Sequence, residues 1–176
     1  MDKPKSNLDF RLMSLQYKFR DLLLPRIDIL KEVGIKQGFT VLDYGCGPGS
    51  YLLPLAGLVG ESGEIYALDV HPLAIKKVQS IASRKKLKNV EIILSDCKTG
   101  LPESSIDVVL LYDIFHGLSE PDEVLGELHR VLKSNGILSF NDHHMNDSEI
   151  RTKLTGGRFF KLLGRGNRVY NFNKID

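Results

Sequence analysis

The fold that this sequence predicts is one α/β domain, a doubly wound parallel sheet with helices on both faces. Three observations carry that expectation. Five short apolar runs have strand length, three helical segments alternate with them, and a glycine-rich turn sits where the first strand hands over to its helix. The 176 residues fit a single domain, and 42% hydrophobic with 26% charged residues describes a globular chain able to build a core.

The elements follow in order. Leu8, Leu12, Leu15, Phe19, Leu22 and Leu23 recur at spacings of three, four and seven, which predicts an amphipathic helix that Pro25 ends. A short second helix is expected over residues 25–33, because proline suits a first turn and Gly34 can take the left-handed C-cap. Residues 1–33 thus form an N-terminal helical segment, and residues 38–176 the core of the domain. Strands are expected at 40–42, 64–68, 90–94, 106–111 and 137–140, with helices at 51–59, 72–86 and 121–132. Pro72 and Pro121 fit first-turn positions, and Ser119 followed by Asp122 is a capping-box-like start. The cations of residues 84–88 fall at a helix C-terminus, where the dipole favours them without any nucleic-acid role. After a helix over 147–154, strands at 158–163 and 168–173 are joined by so short a glycine-containing link that only an antiparallel hairpin fits.

Composition excludes several classes. Lys and Arg number 24 against 22 acids, too balanced for a nucleic-acid partner to be expected. Acids concentrate in 99–128 and cations in 151–176, which is expected to reflect solvated faces, the alternative being electrostatic selection of a ligand or partner. The longest apolar run is 108–112, far short of the roughly 20 residues of a bilayer span. Residues 1–7 are polar and no secretory signal follows them, so a cytoplasmic location is expected. Cys46 and Cys97 are too few for a disulfide framework and read as free thiols.

The chemistry-bearing segment is Leu42-Asp43-Tyr44-Gly45-Cys46-Gly47-Pro48-Gly49-Ser50, at the end of the first strand. Glycines let the backbone turn sharply and let a ligand approach the main chain, while the following helix presents unpaired N–H groups. The dinucleotide fingerprint would place Gly or Ala where Ser50 stands, and Asp43 would repel a pyrophosphate. A carboxylate there suits an ammonium group, so an amino-acid moiety fits this loop better than a phosphate. Asp69 ends the second strand, where an acid can accept hydrogen bonds from two ribose hydroxyls, and the alternative is that it caps the next helix. Asp96 ends the third strand and could receive an adenine amine.

In these motifs the chain resembles the class I S-adenosylmethionine (SAM)-dependent methyltransferases, over nearly its whole length from about Pro25 onward. Ile106-Asp107-Val108-Val109-Leu110-Leu111 resembles that family's fourth-strand motif, and Leu132-Lys133-Ser134-Asn135-Gly136-Ile137-Leu138 the entry to its fifth strand. The resemblance implies a Rossmann-like seven-stranded sheet in the order 3-2-1-4-5-7-6, with strand 7 antiparallel and SAM over the carboxyl ends of strands 1 to 4. It assigns cofactor binding to Asp43, Gly45, Gly47, Gly49, Asp69, Val70, Asp96, Cys97 and Tyr112. Within the family the similarity is to small-molecule enzymes of the ubiquinone and menaquinone type, which implies a small-molecule methyl acceptor. The fourth strand runs into Tyr112-Asp113-Ile114-Phe115-His116 and not into the Asn-Pro-Pro-Tyr stamp of enzymes that methylate base amines or glutamine amides.

Acceptor chemistry is then expected from Asp113, His116 and Asp142-His143-His144, which follow strands 4 and 5. His116 is the first candidate for proton removal and His143 the second. No metal is assigned, because adjacent histidines usually point apart and the spacing is not distinctive. Met13 and Tyr17 are expected to pack in the core, the alternative being that their helix folds over the crevice as a lid. Two other readings remain open at this point: a nicotinamide-dependent oxidoreductase, against which the loop spacing and the lack of a second domain speak, and a SAM-binding module without catalysis.

Overall fold

The computed structural model describes residues 6–175; the reading of residues 1–7 as lacking a secretory signal lies mainly outside them. The chain runs α1 (Asn7–Leu23), α2 (Ile27–Lys31), β1 (Thr40–Tyr44), α3 (Leu52–Val59), β2 (Glu64–Asp69), α4 (Pro72–Lys85), β3 (Val90–Leu94), β4 (Ile106–Tyr112), a 3-10 turn (Phe115–Gly117), α5 (Pro121–Val131), β5 (Leu132–Asn141), α6 (Asp147–Thr155), β6 (Phe160–Arg165) and β7 (Tyr170–Lys174). The seven strands form one sheet in the order β3-β2-β1-β4-β5-β7-β6. Neighbours from β3 to β5 are parallel, and β7 runs antiparallel to both β5 and β6. The strand order reverses between β1 and β4, and in such sheets ligands lie beyond the carboxyl ends of the strands near that switch.

Side chains alternate across each strand, so the sheet divides the core into two layers. Val41, Ile65, Val108 and Leu110 meet α2, α3 and α4 on one face. Leu42, Val109, Leu138 and Phe140 meet α5 and α6 on the other. All eight are fully buried, which at about 2 kcal/mol per large side chain is the main force holding helices to sheet.

Three local expectations change. β5 starts at Leu132, five residues ahead of the expected strand, because Leu132 pairs with Ile106 before the register jumps to Val108 opposite Ile137. Lys133 belongs to the intervening bulge and reaches Asp107 at 2.7 Å, which gives a turn-like stretch of sequence a strand role. The terminal hairpin lies two residues later than expected, with a bulge that leaves Leu163 57% exposed. Ser119 does not start α5: Glu120 is its N-cap, without a side-chain cap bond, and the true capping box is Asn146 with Glu149 at α6.

α1 presents two faces. Phe10 is buried and stacks on His71 at 4.4 Å, whereas the leucine stripe points away from the protein. Among the described residues no helix is long and apolar enough to cross a membrane.

Candidate functional site

A cleft lies over the carboxyl ends of β1, β2, β3 and β4, roofed on one side by α1. Its floor begins with the loop after β1. Gly45 and Gly47 have φ of +81° and +52°, a region that side chains other than glycine rarely enter. A Cβ on Gly45 would also come within 2.7 Å of the Ile114 side chain, so that position is closed to other residues twice over. The N–H groups of Gly45 and Cys46 donate to the Leu68 carbonyl at 2.8 and 2.9 Å, which ties the loop to the end of β2.

Asp69 holds the next turn. One carboxylate oxygen accepts the Gly47 N–H and the other the His71 N–H, both at 2.8 Å. It does not cap α4; His71 does so, its Nδ1 accepting the Leu73 N–H at 3.1 Å. Burial raises the Asp69 pKa, and the two N–H donors oppose that rise.

Asp43 is more isolated. Its side chain lines the cleft, 4% of the residue is exposed, and among the described residues no hydrogen bond is found on its carboxylate. Burial, reinforced by the Asp69 charge, pushes its pKa up to about 7. A buried acid in that condition is a site that a cation would satisfy. Val70, Ser95 and Asp96 complete this end of the cleft. Tyr112 also lines it, its hydroxyl 2.7 Å from Ser139 Oγ.

At the exits of β4 and β5 the structure brings together the acceptor-side candidates. His116 lines the cleft, and its Nδ1 lies 2.9 Å from both oxygens of Asp142, whose side chain is fully buried. Burial pushes Asp142 upward, but N–H bonds from His116 and His144 outweigh it and hold its pKa below the ordinary carboxylate range. A carboxylate only accepts, so Nδ1 carries the ring proton and Nε2 is left as the basic atom. Asp113 also lines the cleft, with a left-handed φ of +56°. Its carboxylate accepts the Nδ1–H of His143 at 2.8 Å and lies 3.9 Å from the Arg20 guanidinium.

Three expected site residues stand apart from the cleft lining. Gly49 faces α4, where a Cβ would come within 3.2 Å of Ile81, so its smallness serves helix packing. Cys97 packs at the edge of the core, and its carbonyl accepts the Tyr44 hydroxyl at 3.4 Å. His143 has an exposed side chain and stands behind the lining residues Asp113, whose carboxylate holds its ring, and His116, whose ring centroid lies 6.4 Å from its own. One atom each of Asp113, Asp142 and His143 fall within 4.8 Å of one another, a metal-like grouping. Within this grouping both Asp142 oxygens accept N–H donors and Asp113 accepts from His143 Nδ1.

The sequence reading of the site missed Phe10 and Arg20, and it placed Met13 and Tyr17 at the crevice only as the alternative to core packing. Phe10, Met13, Tyr17 and Arg20 of α1 line the cleft, so Met13 and Tyr17 are wall residues and not core. Their spacing of three, four and three marks a second helix face, a signal that the stronger leucine periodicity hid. Burial and then the Asp113 charge raise the Tyr17 pKa, and the Arg20 guanidinium stacks on its ring at 3.9 Å. Asp142 as the partner of His116 had no local signal, since 26 residues separate them and only the β4–β5 pairing joins them.

Comparison with known proteins adds lineage to this geometry. The family profile described as a methyltransferase domain matches residues 35–168. The chain is 28% identical over 134 residues to the demethylmenaquinone methyltransferase of Geobacillus kaustophilus, a match covering 76% of this chain and 57% of that protein. It is 36% identical over 85 residues to the aklanonic acid methyltransferase DauC of a Streptomyces species, covering 48% of this chain and 37% of that one. The chain therefore spans little more than half the length of the first of these curated relatives. Among solved structures, a SAM-dependent methyltransferase from Aquifex aeolicus superposes with a TM-score of 0.75 at 31% identity, over 93% of this chain and 98% of that one.

Proposed function

This chain belongs to the class I SAM-dependent methyltransferase family, and from that premise we propose that it transfers the methyl group of SAM to a small-molecule acceptor by in-line displacement. The observation that carries the reading is the cleft itself. Acids line the end formed by β1 to β3, and the His116–Asp142 pair stands at the exits of β4 and β5, so donor and acceptor chemistry occupy one continuous space.

When bound, SAM supplies a methyl group already activated on a sulfonium. The residues present suit it. Asp43, buried and, among the described residues, without a hydrogen-bond donor, fits the ammonium of the methionine moiety. Asp69 fits the ribose hydroxyls and Asp96 the adenine amine, with Val70 and Tyr112 as walls. Gly47 leaves the main chain open to close approach, whereas the space beside Gly45 is taken by the Ile114 side chain.

The protein's own work is alignment, exclusion of water and proton removal. Phe10, Met13 and Tyr17 cover the cleft from α1, acting as a lid, and Arg20 ties that helix to Asp113 and to Ser50. His116 Nε2 takes the proton of an acceptor oxygen, nitrogen or sulfur, while Asp142 fixes the ring and stabilises the imidazolium that forms. The relatives named for demethylmenaquinone and aklanonic acid support an organic small molecule as acceptor. The near balance of charge supports a reading in which nucleic acid is not the substrate, and we place the enzyme in the cytoplasm.

Isothermal titration tests the reading. SAM and its demethylated product should bind at micromolar concentrations while NAD gives no heat. Binding of NAD in place of SAM would return the chain to the oxidoreductases, and SAM binding with no turnover on any acceptor would make it a module.

A further inference from the structure

α1 turns its larger apolar face to solvent. Leu8, Leu12, Leu15, Phe19, Leu22 and Leu23 are between 54% and 79% exposed. At the helical repeat of about 100° per residue they fall within an arc of roughly 100°, one continuous stripe along the helix. The opposite face, with Phe10, Met13 and Tyr17, belongs to the cleft. The stripe therefore serves neither the core nor the site, and an apolar surface of that kind marks an interaction face.

Charge beside the stripe indicates what it meets. Arg11 and Lys18 flank it on α1, and Lys76 and Lys77 of α4 share with them a shallow groove that borders Leu15. No acid lines that groove among the described residues. Asp9, beside the stripe on its other flank, is engaged by the Ser6 hydroxyl at 2.6 Å. An apolar helical stripe with cations on its margin is the arrangement that lies in a membrane interface, leucines at the acyl boundary and cations on the phosphates. Antiparallel pairing of two copies through the stripe would set the Arg11 and Lys18 margin against its own symmetry mate, like charge against like. We propose that α1 seats the protein on an anionic lipid surface through this stripe, with Arg11, Lys18, Lys76 and Lys77 on the headgroup phosphates.

Co-sedimentation of the full chain with phosphatidylcholine vesicles, with and without phosphatidylglycerol, tests the proposal. The parent should bind the phosphatidylglycerol vesicles, and more weakly as salt rises. The double substitution Leu12→Glu with Phe19→Glu lies outside the cleft, so it should reduce vesicle binding at least roughly tenfold while SAM affinity and the unfolding midpoint stay near those of the parent. The double substitution Lys76→Gln with Lys77→Gln should weaken binding to anionic vesicles severalfold without touching the stripe. Equal vesicle binding by the parent and the Leu12/Phe19 variant would overturn the assignment, as would no binding to phosphatidylglycerol vesicles at low salt. A parent dimer that the Leu12/Phe19 variant converts to a monomer in light scattering would also overturn it and give the stripe to a second copy.

Discussion

Replacing Asp43 with Asn should make the ligand-free protein more stable and, by the same change, impair SAM binding. Burial and the Asp69 charge hold the Asp43 carboxyl at about 7, against 3.8 for a free group. The folded state thus binds the proton more tightly than the unfolded chain, and stability falls as pH rises from the unfolded value through the folded one. The penalty is absent below about pH 4 and complete above about pH 8, where it reaches on the order of 4 kcal/mol. The amide keeps the shape and carries no charge, so Asp43→Asn should gain most of that amount at alkaline pH and almost none at pH 4. Urea unfolding of both proteins in steps from pH 5 to pH 9 reads the difference directly, as a gap in midpoint that widens with pH. A gap that stays flat across this range, or a variant less stable than the parent at pH 8.5, would refute the buried-acid argument. Titration with SAM should show the opposite ranking: the parent binds more tightly as pH rises from 6 to 8 and Asp43 ionises, and the variant binds at least roughly tenfold more weakly at pH 8.

The remaining predictions concern the same cleft. Asp69→Ala should weaken SAM at least roughly tenfold, since hydrogen bonds to a charged group contribute about 1.5 to 3 kcal/mol each; unchanged calorimetric affinity in a folded variant would remove Asp69 from the site. Gly47→Val should abolish SAM binding while the circular dichroism spectrum persists, because its Cβ enters open cleft space and its φ disfavours a branched residue. His116→Ala should lower turnover by roughly a hundredfold with SAM affinity little changed, whereas a His116→Gln variant that keeps most activity would leave alignment alone to carry the chemistry. Asp142→Asn should lower turnover by roughly tenfold or more and alter the shape of the pH–rate profile, since the amide can no longer fix the ring tautomer; an unchanged profile would show that the pair is only structural.

The sheet was legible because its signals are local. Apolar runs such as 106–111 become strands buried on both faces, and Pro72 and Pro121 mark helix starts in the structure as they do in the sequence. Sheet order came from resemblance, since no periodicity states which strands pair. What escaped was non-local. The 133–136 stretch falls between the expected helix and the expected strand, yet strand pairing of Leu132 with Ile106 makes it a bulge within β5. Periodicity showed that α1 has an apolar stripe without showing that a different face would meet the protein, and Phe10, Met13 and Tyr17 outweigh six leucines because they fit the crevice. That Asp43, Gly45, Gly47 and Asp69 stand at the ends of the first two strands was readable from residue types, whereas the raised pKa of Asp43 needed the burial that only the assembled sheet provides. Asp142 gained its partner in the same way, from strands adjacent in space and distant in sequence.

The central claim is that this cleft moves a methyl group from SAM to a small organic molecule, and transfer of isotopically labelled methyl is its most direct measurement. Purified protein incubated with methyl-labelled SAM and a fractionated extract of small molecules should place label in an organic-extractable product. His116→Ala should reduce that label by roughly a hundredfold while still binding SAM. Label that never leaves SAM across every fraction, from a protein that binds SAM tightly, would contradict the account.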